Sequence, residues 1–196
     1  MKKLQTGSGT DNFSGPPMTH SKKIILISII FFLCLTSLSA TGAGFQLGGN
    51  PGLLFKDGQV KCEKLSATAT GTIKLSRLPL AAGLGFEAGK SYSDFSYGLY
   101  AFTDYWLIDL QLKNTWNFYS GFGACGSLLT SDFKNFGMTA GARIFAGTNW
   151  LFWDNYLELY LQQNIVPSYA VNLNKPDSDG SFMLCFPLEA GLRFHF

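Results

Sequence analysis

The final stretch of the chain, Leu184 to Phe196, reads LCFPLEAGLRFHF and alternates between two kinds of side chain. One set is entirely apolar: Leu184, Phe186, Leu188, Ala190, Leu192, Phe194 and Phe196. The intervening residues are polar, small or charged. Because successive side chains on a strand point to opposite faces, this pattern predicts a β-strand with one apolar and one polar face. Such a strand suits an antiparallel sheet packed on a core, or a barrel that crosses lipid around a polar lumen.

The composition favours the membrane alternative. Charged residues make up 14% of the 196-residue chain, against about 25% in ordinary soluble domains. The 22 glycines and 18 phenylalanines accompany a mean hydropathy of only +0.12, as expected where apolar and polar residues alternate along strands. The net charge of +2 comes from lysines near the N-terminus, so the remainder offers no basic surface to nucleic acid. The length allows one domain.

Residues 18–43 have the organisation of a secretory signal peptide. Met18 opens the basic segment MTHSKK, the apolar run IILISIIFFLCLTSLSA follows, and cleavage is expected after Ala40 or Ala43. Residues 1–17 are then a polar N-terminal extension, and Met18 is an alternative start. Two other readings stay open: a retained transmembrane helix over 24–40, which is at the short limit for spanning, and lipid attachment at Cys34.

Eight segments between residues 44 and 196 alternate with period two. Their average length matches what a tilted strand needs to cross a bilayer. A change of phase at 103–105 predicts a β-bulge there, and after it Trp106, Ile108, Leu110 and Leu112 share the apolar face. The predicted strands are 44–55, 68–75, 80–89, 95–112, 116–129, 136–146, 156–165 and 184–196.

The connections and the aromatic residues give the predicted sheet an orientation. Two longer polar connections, 56–67 and 167–181, are expected as outer loops, with shorter turns on the periplasmic side. Aromatic residues cluster near the periplasmic turns, as a girdle at the membrane interface requires. This predicted girdle contains Trp116, Trp150, Phe152, Trp153, Tyr156, Phe194 and Phe196.

The predicted signal, the eight amphipathic strands and the ending Leu192-Arg193-Phe194-His195-Phe196 resemble the small eight-stranded outer-membrane β-barrels of diderm bacteria, the OmpW/OmpX/OmpA-like class. The resemblance covers residues 44–196. It implies an all-β fold, a closed antiparallel eight-stranded transmembrane barrel preceded by a helical signal peptide, located in the outer membrane. It also implies a monomer whose partners are membrane lipid and the outer-membrane assembly machinery. The positions that match the assembly signal are Leu188, Ala190, Leu192, Phe194 and Phe196.

Charged side chains on the polar faces are expected in the lumen. They are Lys74, Glu87, Asp109, Arg143, Glu158, Glu189, Arg193 and His195. An eight-stranded interior is wide enough only for side chains or one small ligand. One reading is a self-satisfying ion-pair network, with Arg143–Glu158 and Glu189–Arg193 as the expected pairs. The other is a narrow polar conduit for a small-molecule solute, in which inward glycines leave space.

The sequence predicts no catalytic residues, no cofactor and no metal site. His195 is the only histidine after the signal, and no Ser-His-Asp set, phosphate-binding loop or histidine cluster can be assembled, so an enzyme is not expected. Three cysteines, Cys62, Cys125 and Cys185, follow the signal. A Cys62–Cys185 disulfide and three free thiols are both open readings in an exported protein.

Two functions compete at this stage. The first is a porin-like or OmpW-like barrel that forms a narrow conduit for small molecules. The second is a plugged structural or surface-interaction (adhesin-like) barrel without transport, with the segments 56–67 and 167–181 as surface-exposed loops. A third class, a soluble periplasmic β-sandwich or lipocalin-like binder, requires that the apolar faces do not point outward around the barrel.

Overall fold

The computed structural model describes residues 40–56, 59–75, 78–91, 94–174 and 180–196. The predicted N-terminal extension and the predicted signal peptide up to residue 39, including Cys34, lie outside these residues. Within the described ranges no helix is long and apolar enough to cross a membrane.

The described residues form one antiparallel sheet that closes on itself. Neighbouring strands pair in chain order from β1 to β7, and both β8 and β9 lie between β7 and β1. Strands β8 and β9 are the two halves of one interrupted strand, so the wall of the barrel has eight strand positions. This confirms the predicted fold class. The strands are β1 Ala40–Lys56, β2 Gln59–Leu75, β3 Leu80–Ser91, β4 Asp94–Lys113, β5 Trp116–Thr130, β6 Phe136–Phe152, β7 Leu157–Asn172, β8 Ser181–Cys185 and β9 Leu188–His195.

The strands reach further than the sequence pattern predicted. Strand β1 pairs with β2 as far as Lys56 and Gln59, so most of the expected loop 56–67 is hairpin. Likewise, β7 continues to Asn172, and β8 begins at Ser181. The predicted loop 56–67 was therefore wrong, and the connection predicted over 167–181 is shortened to 173–180. A register shift beside Leu53 interrupts the period-two pattern in this hairpin, which explains why it resembled a loop.

The distribution of side chains is the reverse of that in a soluble protein. Outward-facing Leu84 and Phe86 are 65% and 67% exposed, whereas Arg143 and Glu158 on the inner face are completely buried. Apolar residues face outward on every strand, so the soluble periplasmic binder is excluded. A closed antiparallel barrel with an apolar exterior and a polar interior satisfies its backbone internally and suits hydrocarbon outside.

The predicted aromatic girdle is present at the end of the barrel where β1 begins and β9 ends. All seven of its side chains are exposed. Trp116 and Trp150 are cross-strand partners that stack with ring centroids 6.5 Å apart. The Tyr156 and Phe194 rings meet at 5.7 Å. Following the orientation of bacterial barrels, we call this end the periplasmic end and the opposite end the outer end.

The predicted bulge in β4 lies slightly later in the chain than expected. The register against β5 shifts between Trp106 and Ile108, not at 103–105. The extra residue, Leu107, is exposed together with Ile108, and Trp106 stays in phase with the inward-facing Asp104. The pattern had placed Trp106 on the lipid face, which was wrong. Its indole is buried and stacks on the Tyr119 ring, with centroids 4.2 Å apart.

The terminal strand, predicted as continuous over 184–196, is interrupted at Phe186 and Pro187. Pro187 has no N–H for the ladder, and side-chain amides complete the hydrogen bonding there. On the lipid face, the Gln163 amide donates to the carbonyls of Phe186 and Pro187 at 3.2 and 3.1 Å. From inside, Asn164 Nδ2 donates to the Pro187 carbonyl at 3.1 Å. The Phe186 N–H donates to the Pro51 carbonyl at 2.9 Å.

Candidate functional site

Four large rings cross the barrel interior and form what we call the aromatic layer: Trp106, Tyr119, Phe145 and Tyr160. Gly147 and Gly191 are the cross-strand partners of the two tyrosines. A Cβ at either glycine would collide with the facing tyrosine ring. These two glycines therefore make room for the aromatic rings that face them.

On the outer side of the aromatic layer, Arg143 is the centre of a buried polar cluster, the central network. Its Nε lies 2.8 Å from Asp104 Oδ1, and its Nη2 lies 2.7 Å from Glu189 Oε2. Its Nη1 donates to the Tyr100 hydroxyl at 2.5 Å, and its Nη2 donates to Asn164 Oδ1 at 3.0 Å. Partners from β4, β7 and β9 thus meet one guanidinium from β6.

Two amide side chains extend the central network across the barrel. Gln162 Nε2 donates to Asp104 Oδ2 at 3.0 Å and to Asn164 Oδ1 at 2.8 Å. Asn164 Nδ2 donates to Glu189 Oε2 at 2.9 Å. Breaking a buried ion pair of this kind typically costs about 3–5 kcal/mol, because it leaves an uncompensated charge. The members of the network therefore depend on one another for stability.

On the periplasmic side of the aromatic layer lies a second group, the mouth cluster, centred on Glu158. Arg193 Nη1 and His195 Nε2 approach Glu158 Oε2 at 2.9 and 2.8 Å. Asn149 Nδ2 donates to Glu158 Oε1 at 2.6 Å. The guanidinium of Arg193 also lies over the ring of Tyr160, 4.5 Å from its centroid.

The ion pairs differ from those expected from the sequence. Arg143–Glu158 and Glu189–Arg193 were the expected pairs, and both were wrong. Glu158 and Arg193 stand directly opposite each other in the β7–β9 register. Glu189 lies opposite the uncharged Gln162, so its ion-pair partner is Arg143 on another strand. The register of the strands therefore decides which charged side chains pair, and the alternating sequence pattern does not specify that register.

A cavity of about 290 Å³ opens from the mouth cluster, and we call it the mouth cavity. Lys74 places its Nζ 3.7 Å from the centroid of the Trp106 ring, and so marks where the cavity meets the aromatic layer. The cavity is lined by Lys74, Asp109, Asn117, Asn149, Leu151, Asn155, His195 and Phe196.

A third charged group lies toward the outer end. Lys64 Nζ is 2.7 Å from Glu87 Oε1, which also accepts hydrogen bonds from Ser66 Oγ at 2.5 Å and Asn50 Nδ2 at 3.4 Å. A small cavity beside this pair has about 20 Å³, room for a single water. An apolar cluster lies in the same outer half, made of Leu54, Val166, Met183 and Cys185.

The structure separates the eight proposed lumen residues by depth. Five are buried in the interior: Glu87, Arg143, Glu158, Glu189 and Arg193. Lys74 and His195 are partly exposed at the mouth, and Asp109 is exposed on the rim of the mouth cavity. The positions predicted to form the assembly signal, Leu188, Ala190, Leu192 and Phe194, all lie on the exposed outer face of β9, and Phe196 follows it.

Sequence reasoning missed several interior residues. Lys64 was assigned to a loop, although its position two residues before Ser66 continues the polar face of β2. Asp104 had no derived role because the bulge in β4 was placed at 103–105. Gln162 and Asn164 carry no charge, so nothing in the sequence distinguished them from other polar residues of β7.

The three cysteines in the described part of the chain are free thiols. Cys62 pairs with Leu53 and is exposed, whereas Cys185 pairs with Gly52 and is buried in the interior. They lie on opposite faces of the barrel wall, so the disulfide reading was wrong. The described residues also contain no group of three or more His, Cys, Asp or Glu side chains that could hold a metal ion.

At the outer end, the turn between β5 and β6 is held by hydrogen bonds. The backbone N–H groups of Asn135 and Lys134 donate to Asp132 Oδ1 at 2.8 and 2.9 Å. These bonds favour the carboxylate and lower the pKa of Asp132 below its ordinary value. The turn presents Phe133, which is 72% exposed and meets the Tyr97 ring at 5.3 Å.

No protein-family model matches this chain, and no curated protein matches it. The solved structures that are similar in fold include three outer-membrane proteins. Neisserial surface protein A (NspA) is 14% identical, with 79% of this chain and 97% of that chain covered and a TM-score of 0.48. Ail of Yersinia pestis, the attachment invasion locus protein, is 11% identical, with coverages of 79% and 99% and a TM-score of 0.40. The outer membrane protease OmpT of Escherichia coli is 10% identical, with coverages of 82% and 98% and a TM-score of 0.38.

These likenesses concern fold alone. The chain's own features are a closed ring of strand pairing, an apolar exterior and a polar, charged interior. That combination makes it a small β-barrel protein of the bacterial outer membrane.

Proposed function

We propose that this protein is a closed outer-membrane barrel that serves a structural or surface-interaction role without transport. The observation that carries the proposal is the central network, in which a completely buried Arg143 has contacts with side chains from three other strands. An open path would have to separate Arg143 from both carboxylates, Asp104 and Glu189. That step leaves buried charges unpaired and is correspondingly costly.

The described cavities support the same conclusion. The small outer cavity and the mouth cavity lie toward opposite ends of the barrel. Between them stand the central network and the aromatic layer, whose Tyr119 is completely buried. A solute would have to displace both groups to pass.

The outer turn supports the surface-interaction part of the proposal. Asn174, just after β7, ties this turn to its neighbour: its Nδ2 donates to the Lys134 carbonyl and its Oδ1 accepts from the Phe136 N–H, both at 2.8 Å. Phe133 is thus held in an ordered turn while remaining exposed. Aromatic side chains presented in this way lose little entropy on binding and are enriched at interface hot spots.

The test of closure is single-channel recording of the purified protein in a planar bilayer. We expect no steady conductance from the wild-type barrel. A variant that replaces the plug charges together, Asp104→Asn, Arg143→Met and Glu189→Gln, leaves no unpaired buried charge and serves as the matched comparison. Steady conductance from the wild-type protein would overturn the proposal.

The surface role is tested by adhesion of bacteria that display the barrel to cultured epithelial cells. Phe133→Ala should reduce adhesion, because it removes the exposed ring of the outer turn. Phe152→Ala is the matched control, since it deletes an exposed phenylalanine at the periplasmic end. Equal adhesion of both variants and the wild type would argue against a role for the outer turn.

The second candidate function is the narrow, porin-like or OmpW-like conduit. The mouth cavity favours it, because this cavity brings water to the charged residues Lys74 and Asp109 at one end of the lumen. Under this alternative the planar-bilayer experiment gives steady conductance, and Asp109→Asn changes its ion selectivity.

A further inference from the structure

The mouth cavity closes toward the barrel centre and opens at the periplasmic end. Lys74 lines the cavity, and its ammonium lies over the Trp106 ring of the aromatic layer. A volume of about 290 Å³ is near the lower end of the range for small-molecule sites, roughly 300–1,000 Å³. The cavity is therefore a blind pocket of a size that fits one small metabolite.

The charged groups around the mouth cavity are segregated by strand. Lys74 lies on β2 and His195 on β9, and these strands flank β1. Asp109 lies on β4 and Asn117 on β5, across the barrel from β1. One wall thus offers cationic and N–H donor groups, and the other offers a carboxylate and an amide oxygen.

Asn149 contributes an unused acceptor at the base of this second wall. The side chain is 2% exposed, and its Nδ2 is already committed to Glu158. Its Oδ1 accepts no hydrogen bond from any residue in the described ranges. A buried amide oxygen without a donor is costly, and a ligand N–H in the cavity would satisfy it.

The rim beside the cavity is held in a strained conformation. Trp153, Asp154 and Asn155 have positive φ angles of 52°, 54° and 71° in succession, and Asn155 lines the cavity. Side chains other than glycine rarely adopt this region, and such strain concentrates at ligand sites. The Tyr156 carbonyl accepts from the His195 N–H at 2.8 Å, which joins this turn to the cationic wall.

We propose that the mouth cavity binds a small zwitterion of the amino-acid type from the periplasm. The ligand carboxylate would be recognised by Lys74 and His195, and its ammonium by Asp109 and the Asn149 amide oxygen. Leu151 and Phe196 supply an apolar surface for a hydrocarbon side chain. This activity goes beyond the proposed surface role and does not require an open lumen.

The experiment uses the purified barrel in detergent micelles and L-leucine as the probe. Binding is measured by isothermal titration calorimetry. Its location is measured by the indole N–H resonance of Trp106 in NMR spectra, which the Trp106→Phe variant identifies. Leucinamide lacks the carboxylate and N-acetyl-L-leucine lacks the ammonium, so each tests one wall of the cavity.

We expect saturable binding of L-leucine with a shift of the Trp106 indole resonance. Each blocked analogue should bind at least about tenfold more weakly, because a charge-assisted hydrogen bond is lost. Asp109→Asn should weaken the binding of L-leucine by a similar factor. Asp154→Asn makes the same charge change at the same end but outside the cavity lining, and should leave affinity unchanged.

Three results would overturn this inference. They are no saturable binding of L-leucine at millimolar concentrations, binding of either blocked analogue as tight as that of L-leucine, or equal affinity in Asp109→Asn and Asp154→Asn. Because Asp109 is exposed, its substitution leaves the buried clusters intact. Failure here would not affect the closed-barrel proposal, which the conductance experiment tests separately.

Discussion

The central network and the mouth cluster are built from the same chemistry but behave as different environments. Each joins an arginine to a carboxylate, through Arg143–Glu189 and Arg193–Glu158. In the central network, every guanidinium nitrogen of Arg143 lies within 3.1 Å of an oxygen. The mouth cluster borders a cavity, and its His195 side chain is 21% exposed.

The difference lies in how many polar partners surround the arginine, not in residue type or in burial, since both ion pairs are buried. Arg143 contacts side chains from three other strands. Arg193 has one carboxylate partner and the Tyr160 ring, on the other side of the aromatic layer.

The largest effect is expected for Arg143→Met. The substitution leaves Asp104 and Glu189 buried without their cation and should lower the free energy of unfolding by about 3–5 kcal/mol. Urea unfolding in lipid vesicles, followed by tryptophan fluorescence, measures the loss. Combining Arg143→Met with Asp104→Asn and Glu189→Gln should recover most of it. A loss below about 1 kcal/mol in the single variant would contradict the assignment of a dry central network.

A smaller loss is expected for Glu158→Gln. The neutral amide still accepts a hydrogen bond, and Arg193 keeps its contact with the Tyr160 ring, so we expect about 1–3 kcal/mol. The same urea titration measures it. If Glu158→Gln destabilises the barrel more than Arg143→Met does, the number of polar partners around the arginine does not decide the loss of stability.

Gln163→Leu tests the wall beside the central network. Gln163 faces lipid and Asn164 faces the network, yet both donate to the Pro187 carbonyl. The substitution removes the donor to the Phe186 carbonyl, which should lower the free energy of unfolding by about 1 kcal/mol. The apolar leucine side chain partly offsets this loss on the lipid face. Hydrogen exchange at the Phe186 N–H should accelerate, while amides of β3 serve as the internal control. Unchanged hydrogen exchange at the Phe186 N–H would mean that Asn164 alone is enough to hold the backbone in place between β8 and β9.

The smallest effect is expected for His195→Gln. The side chain is partly exposed, and Glu158 keeps Arg193 as its partner, so stability should fall by less than about 1 kcal/mol. Heat-modifiability on gels and urea unfolding should both resemble the wild type. A loss comparable with that of Glu158→Gln would show that the mouth cluster is drier than the cavity beside it indicates.

The alternation of apolar and polar residues was enough to predict an eight-stranded barrel and the face of each strand that contacts lipid. Residues such as Leu84, Phe86 and Leu192 lie outside as the pattern required. It also indicated a bulge in β4, although a shift of a few residues was enough to misplace Trp106 and to hide the role of Asp104. Strand ends were less predictable. Strand segments whose polar side chains face the lumen, such as the segment around Lys64, have the amino-acid composition of a loop.

The sequence by itself determined that this chain forms a lipid-facing barrel, because the period-two pattern acts locally and each strand carries its own apolar face. The tertiary structure alone decided which charges meet. Glu158 joins Arg193, and Arg143 joins Asp104 and Glu189, through strand register and through contacts across the lumen. Those contacts link residues far apart in the chain, so no local pattern carries them. The same is true of the aromatic layer, whose rings come from four strands and pack together in the interior.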